Sequence, residues 1–164
     1  MGLFDFVKDA GERIFGGGES KTASMANAEA AARRQEREII DYVSNLRLEV
    51  EDLRVQMQGN VALIGGTVAS QELREKVILA VGNIGGVAQV DDRLTVAAPA
   101  PEAAPEPEAV MHTVQSGETL SGIAKAHYGN AMKYMVIFEA NQPALKDPDK
   151  IYPGQVLRIP PLAE

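Results

Sequence analysis

The apolar positions change period several times along the chain, and each change marks an element. Between Ala28 and Arg47, Ile39, Ile40, Val43 and Leu46 recur at three- and four-residue steps, the stripe of an amphipathic helix. Leu53-Arg54-Val55-Gln56-Met57 then alternates apolar and polar residues, as a half-buried strand does. Gly59-Asn60 supplies hairpin turn residues, and Val61 to Val68 is the returning strand. Ser70 can cap a helix from Gln71 to about Val81 that turns Leu73, Val77, Ile78 and Val81 inward. Gly82-Asn83-Ile84-Gly85-Gly86 stops that helix, and Val87 to Val96 reads as a third strand. The order αββαβ predicts a small sheet with two helices on one face.

A Pro/Ala/Glu tract follows, Ala97 to Glu108, which has nothing to bury and is expected to be an extended spacer. Beyond it, Thr113-Val114-Gln115 reads as a short strand. Leu120, Ile123, Ala124 and Tyr128 form the core stripe of a helix that ends at Gly129-Asn130. A second helix carries Met135, Ile137, Phe138 and Asn141, and Ile151 to Pro160 supplies a turn and a closing strand, giving βααβ. The expected fold class is therefore α+β in two small domains. Residues 26–96 and 111–162 are the domains and 97–110 the linker, with an N-terminal segment at 1–20 set off by Gly16-Gly17-Gly18. That segment places Leu3, Phe4, Phe6, Val7, Ala10, Ile14 and Phe15 at roughly helical spacing. It is too short to stand alone as a helix and is expected to dock on the adjacent domain. Asp5, Asp9 and Glu12 make its polar face mostly acidic, which disfavours a membrane surface.

Charge and chemistry narrow the function. A net charge of −7 over 164 residues argues against nucleic acid, whose phosphates call for a basic face. The absence of cysteine, of a signal-peptide pattern at Met1 to Ala10 and of a bilayer-length apolar run points to a cytoplasmic protein. No nucleophile elbow or nucleophile–base motif is present, so no enzyme is expected. His112 and His127 lie apart without cysteines and form no zinc pattern; they read as solvated or packing residues. Asp91 and Asp92 are neighbours on a strand and so face opposite ways.

The glycine turn is more informative. The last carbonyls of a helix lack backbone donors and sit at the negative end of its dipole. Gly82, Gly85 and Gly86 can adopt backbone conformations that swing such carbonyls towards one point. If the N-terminal segment stops its first turns at Gly11, the carbonyls of Val7 to Ala10 are free as well. A cage of neutral oxygens suits a large monovalent cation, since calcium recruits carboxylates and magnesium keeps its waters. A plain glycine helix stop without ligand is the alternative.

Two resemblances sharpen these readings. The Gly59, Val61, Leu63, Gly65, Val68 hairpin, the helix after Ser70 and the Gly86-to-Asp92 run resemble the BON domain. Ser116-Gly117-Glu118-Thr119-Leu120 and Tyr152-Pro153-Gly154-Gln155-Val156-Leu157-Arg158-Ile159-Pro160 resemble the LysM domain. With Val7-Lys8-Asp9-Ala10-Gly11-Glu12 and Ala80-Val81-Gly82-Asn83-Ile84, the whole chain resembles the bacterial cytoplasmic potassium-binding protein family, a BON–LysM sensor or buffer. That resemblance implies K+ as ligand, main-chain oxygens of Val7, Ala10, Gly82, Ile84 and Val87 as its site, and Gly86 as hinge or neighbouring ligand. It also implies a conformational change, with contact between the BON and LysM domains as one way of sharing it. The rival is a peptidoglycan-binding protein of the cell envelope. LysM modules bind N-acetylglucosamine chains in a groove that would fall at Gly117, Glu118, Thr119 and Leu120, with Asn141, Ile151, Tyr152 and Pro153 opposite. The missing export signal disfavours it.

Overall fold

The structure, a computed structural model, describes residues 2–6, 25–97 and 109–162. The long helix is present as α1, Met25–Asn45, and buries Ile39 and Val43, with Leu46 buried in the turn that follows it. Strands β2, Glu51–Gln58, and β3, Val61–Val68, pair antiparallel across the Gly59-Asn60 turn. Helix α2, Gln71–Gly82, starts at Ser70, whose hydroxyl accepts the Leu73 N–H at 3.1 Å. Strand β4, Gln89–Val96, returns parallel to β3 in the register Val61–Gln89 to Val68–Val96, so β3, α2 and β4 form a crossover unit. Ile64, Val77, Ile78, Val81, Ile84, Val87 and Val90 fill the centre of one core shared by both helices and the sheet.

The N-terminus departs from expectation. Residues Gly2–Asp5 are a strand, β1, and not the start of a helix. It pairs antiparallel with β4, from Gly2–Asp92 to Asp5–Gln89, and the sheet order is β1-β4-β3-β2. Spacing in a run of five residues cannot separate a period of 3.6 from one of 2, and the decisive term is tertiary. The outer edge of β4 offers backbone groups that a short strand satisfies at once. The alternation is then strand-like, with Phe4 and Phe6 packed on the core and Leu3 60% exposed. Residues 7–24, with Val7, Ala10, Ile14 and Phe15, lie outside the described residues.

The C-terminal unit is a βααβ arrangement. Strand β5, Val110–Thr113, lies slightly earlier than the Thr113–Gln115 alternation predicts. Val114 nonetheless continues the pairing by bonds to Gln155 and Gly154. Thr119 caps α3, Leu120–Tyr128, through the Gly122 N–H. Gly129 closes it in a left-handed conformation at φ 70°. A 3-10 turn at Ala131–Lys133 leads into α4, Tyr134–Ala140, and β6, Val156–Ile159, pairs antiparallel with β5. Leu120, Ile123, Ala124, Ile137, Leu145, Leu157 and Ile159 form this unit's own core. Among the described residues no helix is long and apolar enough to cross a membrane.

Candidate functional site at the glycine turn

Helix α2 ends in a way that leaves carbonyl groups available. The Asn83 N–H returns to the Leu79 carbonyl at 2.9 Å and the Ile84 N–H to Val81 at 3.2 Å. Ile84 to Val87 is a tight turn closed by the Val87 N–H on the Ile84 carbonyl at 3.1 Å. Gly86 stands at its third position with φ 108°, where a side chain would be strained. Among the described residues no donor reaches the carbonyl oxygens of Gly82, Gly86 or Val87. The last turn of α2 carries no basic residue to neutralise the helix dipole. No three His, Asp or Glu side chains among the described residues gather to hold a metal.

Phe6 brings the N-terminal segment to this place. A Cβ built on Gly82 would lie only 2.0 to 2.3 Å from atoms of the Phe6 ring, so the ring occupies the space that glycine leaves open. The Phe6 N–H donates to the Ala88 carbonyl at 2.8 Å, and the Ala88 N–H to the Asn60 carbonyl at 2.8 Å. Phe6 is thereby fastened to both sides of the turn, at the point from which the chain continues to Val7. Of the proposed ligands, Gly82, Ile84, Gly86 and Val87 share this turn, and Val7 and Ala10 are outside the described residues. Gly82 therefore seats an aromatic ring while its own backbone stays within α2, and the positive-φ glycine of the turn is Gly86. The spacing of Phe4 and Phe6 by two residues was the hint of that packing.

Asn83 joins the turn to the C-terminal unit. Its side-chain amide donates to the Val156 carbonyl at 2.8 Å and accepts the Val156 N–H at 2.9 Å. The Tyr152 hydroxyl donates to the Asn83 carbonyl at 3.5 Å. Asn141 does the same to the next exposed pair of groups on β6: its amide donates to the Arg158 carbonyl at 2.8 Å and accepts the Arg158 N–H at 2.7 Å. Two asparagines, one from each unit, thus satisfy the edge of β6 that does not face β5. Alongside, the buried Arg158 side chain pairs with the buried Glu75 carboxylate of α2, which also accepts from Gln71 Nε2 and the Ala109 N–H. A desolvated ion pair needs such extra bonds to offset the loss of water. A cleft of about 200 Å³ lies beside Asn83, bounded by Tyr42, Ala144 and Tyr152.

The proposed glycan residues are dispersed among structural tasks. Leu120 is core, Asn141 is buried as the β6 clamp, and Thr119 is a helix cap. Glu118 accepts the Gln115 N–H at 2.8 Å, and this bond, with the one from His112, holds its carboxyl below the usual carboxylate range. Ile151 packs on the unit's core and Tyr152 reaches to Asn83, leaving Gly117, Thr119 and Pro153 exposed. Asp91 and Asp92 diverge as expected: Asp92 is fully buried against Arg74 at 2.6 Å, whereas Asp91 meets Arg93 at 3.0 Å.

Comparison with known proteins agrees with this layout. Residues 27–98 match the BON domain and residues 112–160 the LysM domain. The chain is 44% identical over 161 residues to the potassium binding protein Kbp of Escherichia coli O6:H1, covering 98% of this chain and 99% of that one. The chain belongs to the family of that protein. It is also 38% identical over 122 residues to an uncharacterized protein of Deinococcus radiodurans, covering 71% of this chain and 47% of the relative. The α+β, two-domain character expected from the alternating patterns therefore stands.

Proposed function

We propose that this protein binds potassium in the cytoplasm through main-chain oxygens and acts as a K+ sensor or buffer rather than as an enzyme. The observation that carries the reading is the Phe6 ring seated on Gly82. It sets the chain immediately before Val7 beside the end of α2 and the turn after it, where the carbonyls of Gly82, Gly86 and Val87 lack donors among the described residues. The ligands on this reading are the main-chain oxygens of Val7, Ala10, Gly82, Ile84 and Val87, with Gly86 as hinge or further ligand. The E. coli relative, named a potassium binding protein, supports the choice of ion.

Binding would tie the N-terminal segment to the turn, and the turn is tied through Asn83 to β6 of the LysM domain. The domain contact then depends on the ion, which is the conformational change of a sensor. The test is thermal unfolding in KCl and in NaCl at equal ionic strength. An ion that binds only the folded state raises the midpoint by mass action. A higher midpoint in KCl is expected, and equal midpoints would overturn the reading.

The glycan reading is disfavoured because Tyr152 of the groove is engaged with Asn83 and Leu120 and Asn141 are buried. Retention of the protein on purified peptidoglycan at physiological salt would revive it.

A further inference from the structure

His112 on β5 and His127 in the last turn of α3, fifteen residues apart in sequence, meet at the surface of the LysM domain. His127 Nε2 lies 3.4 Å from His112 Nδ1, and the rings stand edge-on with centroids 5.2 Å apart and planes at 87°. On its far side His112 Nε2 is 2.9 Å from Glu118 Oε2. That oxygen also accepts the Gln115 N–H at 2.8 Å, so the carboxylate is fixed before it meets the imidazole. A carboxylate acceptor places the His112 proton on Nε2 and leaves the Nδ1 lone pair directed at His127.

We propose that His112 Nδ1 and His127 Nε2 form a two-imidazole site for a borderline divalent transition metal of the zinc and copper class, with Glu118 orienting His112 from behind. The distances fit one shared apex. Two imidazole nitrogens, each about 2.1 Å from a tetrahedral metal, stand about 3.4 Å apart, and their ring centroids, about 1.15 Å behind each nitrogen, about 5.3 Å apart. The observed 3.4 and 5.2 Å match both values, with the metal-free rings already at the required spacing. Rotation about each metal–nitrogen bond leaves the near-perpendicular planes compatible with this. A histidine ligand whose other nitrogen donates to a carboxylate is held in the correct tautomer and made more basic, the usual support of such ligands. Imidazole selects zinc, copper and nickel over magnesium and calcium, which prefer oxygen. His127 is exposed, so an ion can enter from solvent and complete its shell with water. The site is chemically separate from the glycine turn, which offers only neutral main-chain oxygens.

The experiment is calorimetric titration of ZnCl2 and of CuCl2 into the full-length, tag-free protein in KCl, with two-dimensional NMR of the histidine ring protons. One equivalent of each ion should bind, copper more tightly, and the rings of both histidines, His112 and His127, should shift or broaden together at that equivalence. His127→Gln changes an exposed residue, and should keep the metal-free melting temperature while weakening binding at least about tenfold. Glu118→Gln should weaken it by about 10- to 100-fold with both ligands still present. If zinc gives no heat at millimolar concentration, or binds His127→Gln as tightly as the parent, the two rings share only a hydrogen bond and the proposal fails.

Discussion

Replacing Asn83 with alanine removes one of the links between the two domains and leaves the Glu75–Arg158 pair and the Tyr152 bond to the residue-83 carbonyl in place. The amide makes two hydrogen bonds to the Val156 backbone, of 2.8 and 2.9 Å, and no other element supplies them. At about 1 to 1.5 kcal/mol net for each bond, their loss lowers the docking free energy by about 2 to 3 kcal/mol. That corresponds to a shift of about 30- to 150-fold in the ratio of docked to separated domains. The chain has no native cysteine, so dyes can be placed through Gln56→Cys and Met132→Cys, both exposed and one on each domain. Single-molecule energy transfer in saturating KCl should then show a separated population in Asn83→Ala that the parent lacks. Asn141→Ala is the control, because its bonds to Ile137 and Arg158 lie within the LysM domain. It should lower the melting of that domain instead of parting intact domains. Identical distance distributions for the parent and Asn83→Ala would refute the reasoning, since the amide would then be incidental to docking.

Other outcomes follow from the same geometry. Gly82→Ala puts a methyl group within 2.3 Å of the Phe6 ring, so β1 should detach and the KCl-dependent rise in melting temperature should shrink or vanish. Glu75→Leu leaves Arg158 buried without its partner and should destabilise by about 3 to 5 kcal/mol in denaturant titration, while adding Arg158→Met should recover most of the loss. Glu118 has a lowered folded-state pKa, caused first by the Gln115 N–H and then by His112, so its contribution is present above the ordinary carboxylate pKa of about 4.3 and disappears as pH falls through the folded value. Melting curves of the parent should therefore fall more steeply below about pH 4.3 than those of Glu118→Gln.

Local signals carried most of the fold. Ser70, Thr119 and Gly129 perform the helix capping their residue types suggest, and the alternation around Gly59-Asn60 gave the hairpin in register. The glycines after α2 also marked a special turn. Phe6, Asn83 and the Glu75–Arg158 pair could not be read in the same way, because each acts on a partner at least 69 residues distant. The period of Leu3 to Phe6 was ambiguous until β4 supplied an edge. The two histidines read as isolated because β5 and α3 are joined by a loop that folds one back on the other.

The strand pairing at the N-terminus also dictates when the binding turn can be completed during synthesis. Asp5 and Gln89, which pair and also bond through their side chains at 2.6 Å, are 84 residues apart. A nascent chain emerges N-terminal end first, so β1 leaves the ribosome long before its partner exists. Phe6 meanwhile has no glycine to sit on. The hairpin and α2 can form from nearby contacts, whereas closing β1 onto β4 bears the largest loop-closure cost in the domain. Strand β1, together with Phe6, should thus be the last to join the domain and, in a folded molecule, the first to come away.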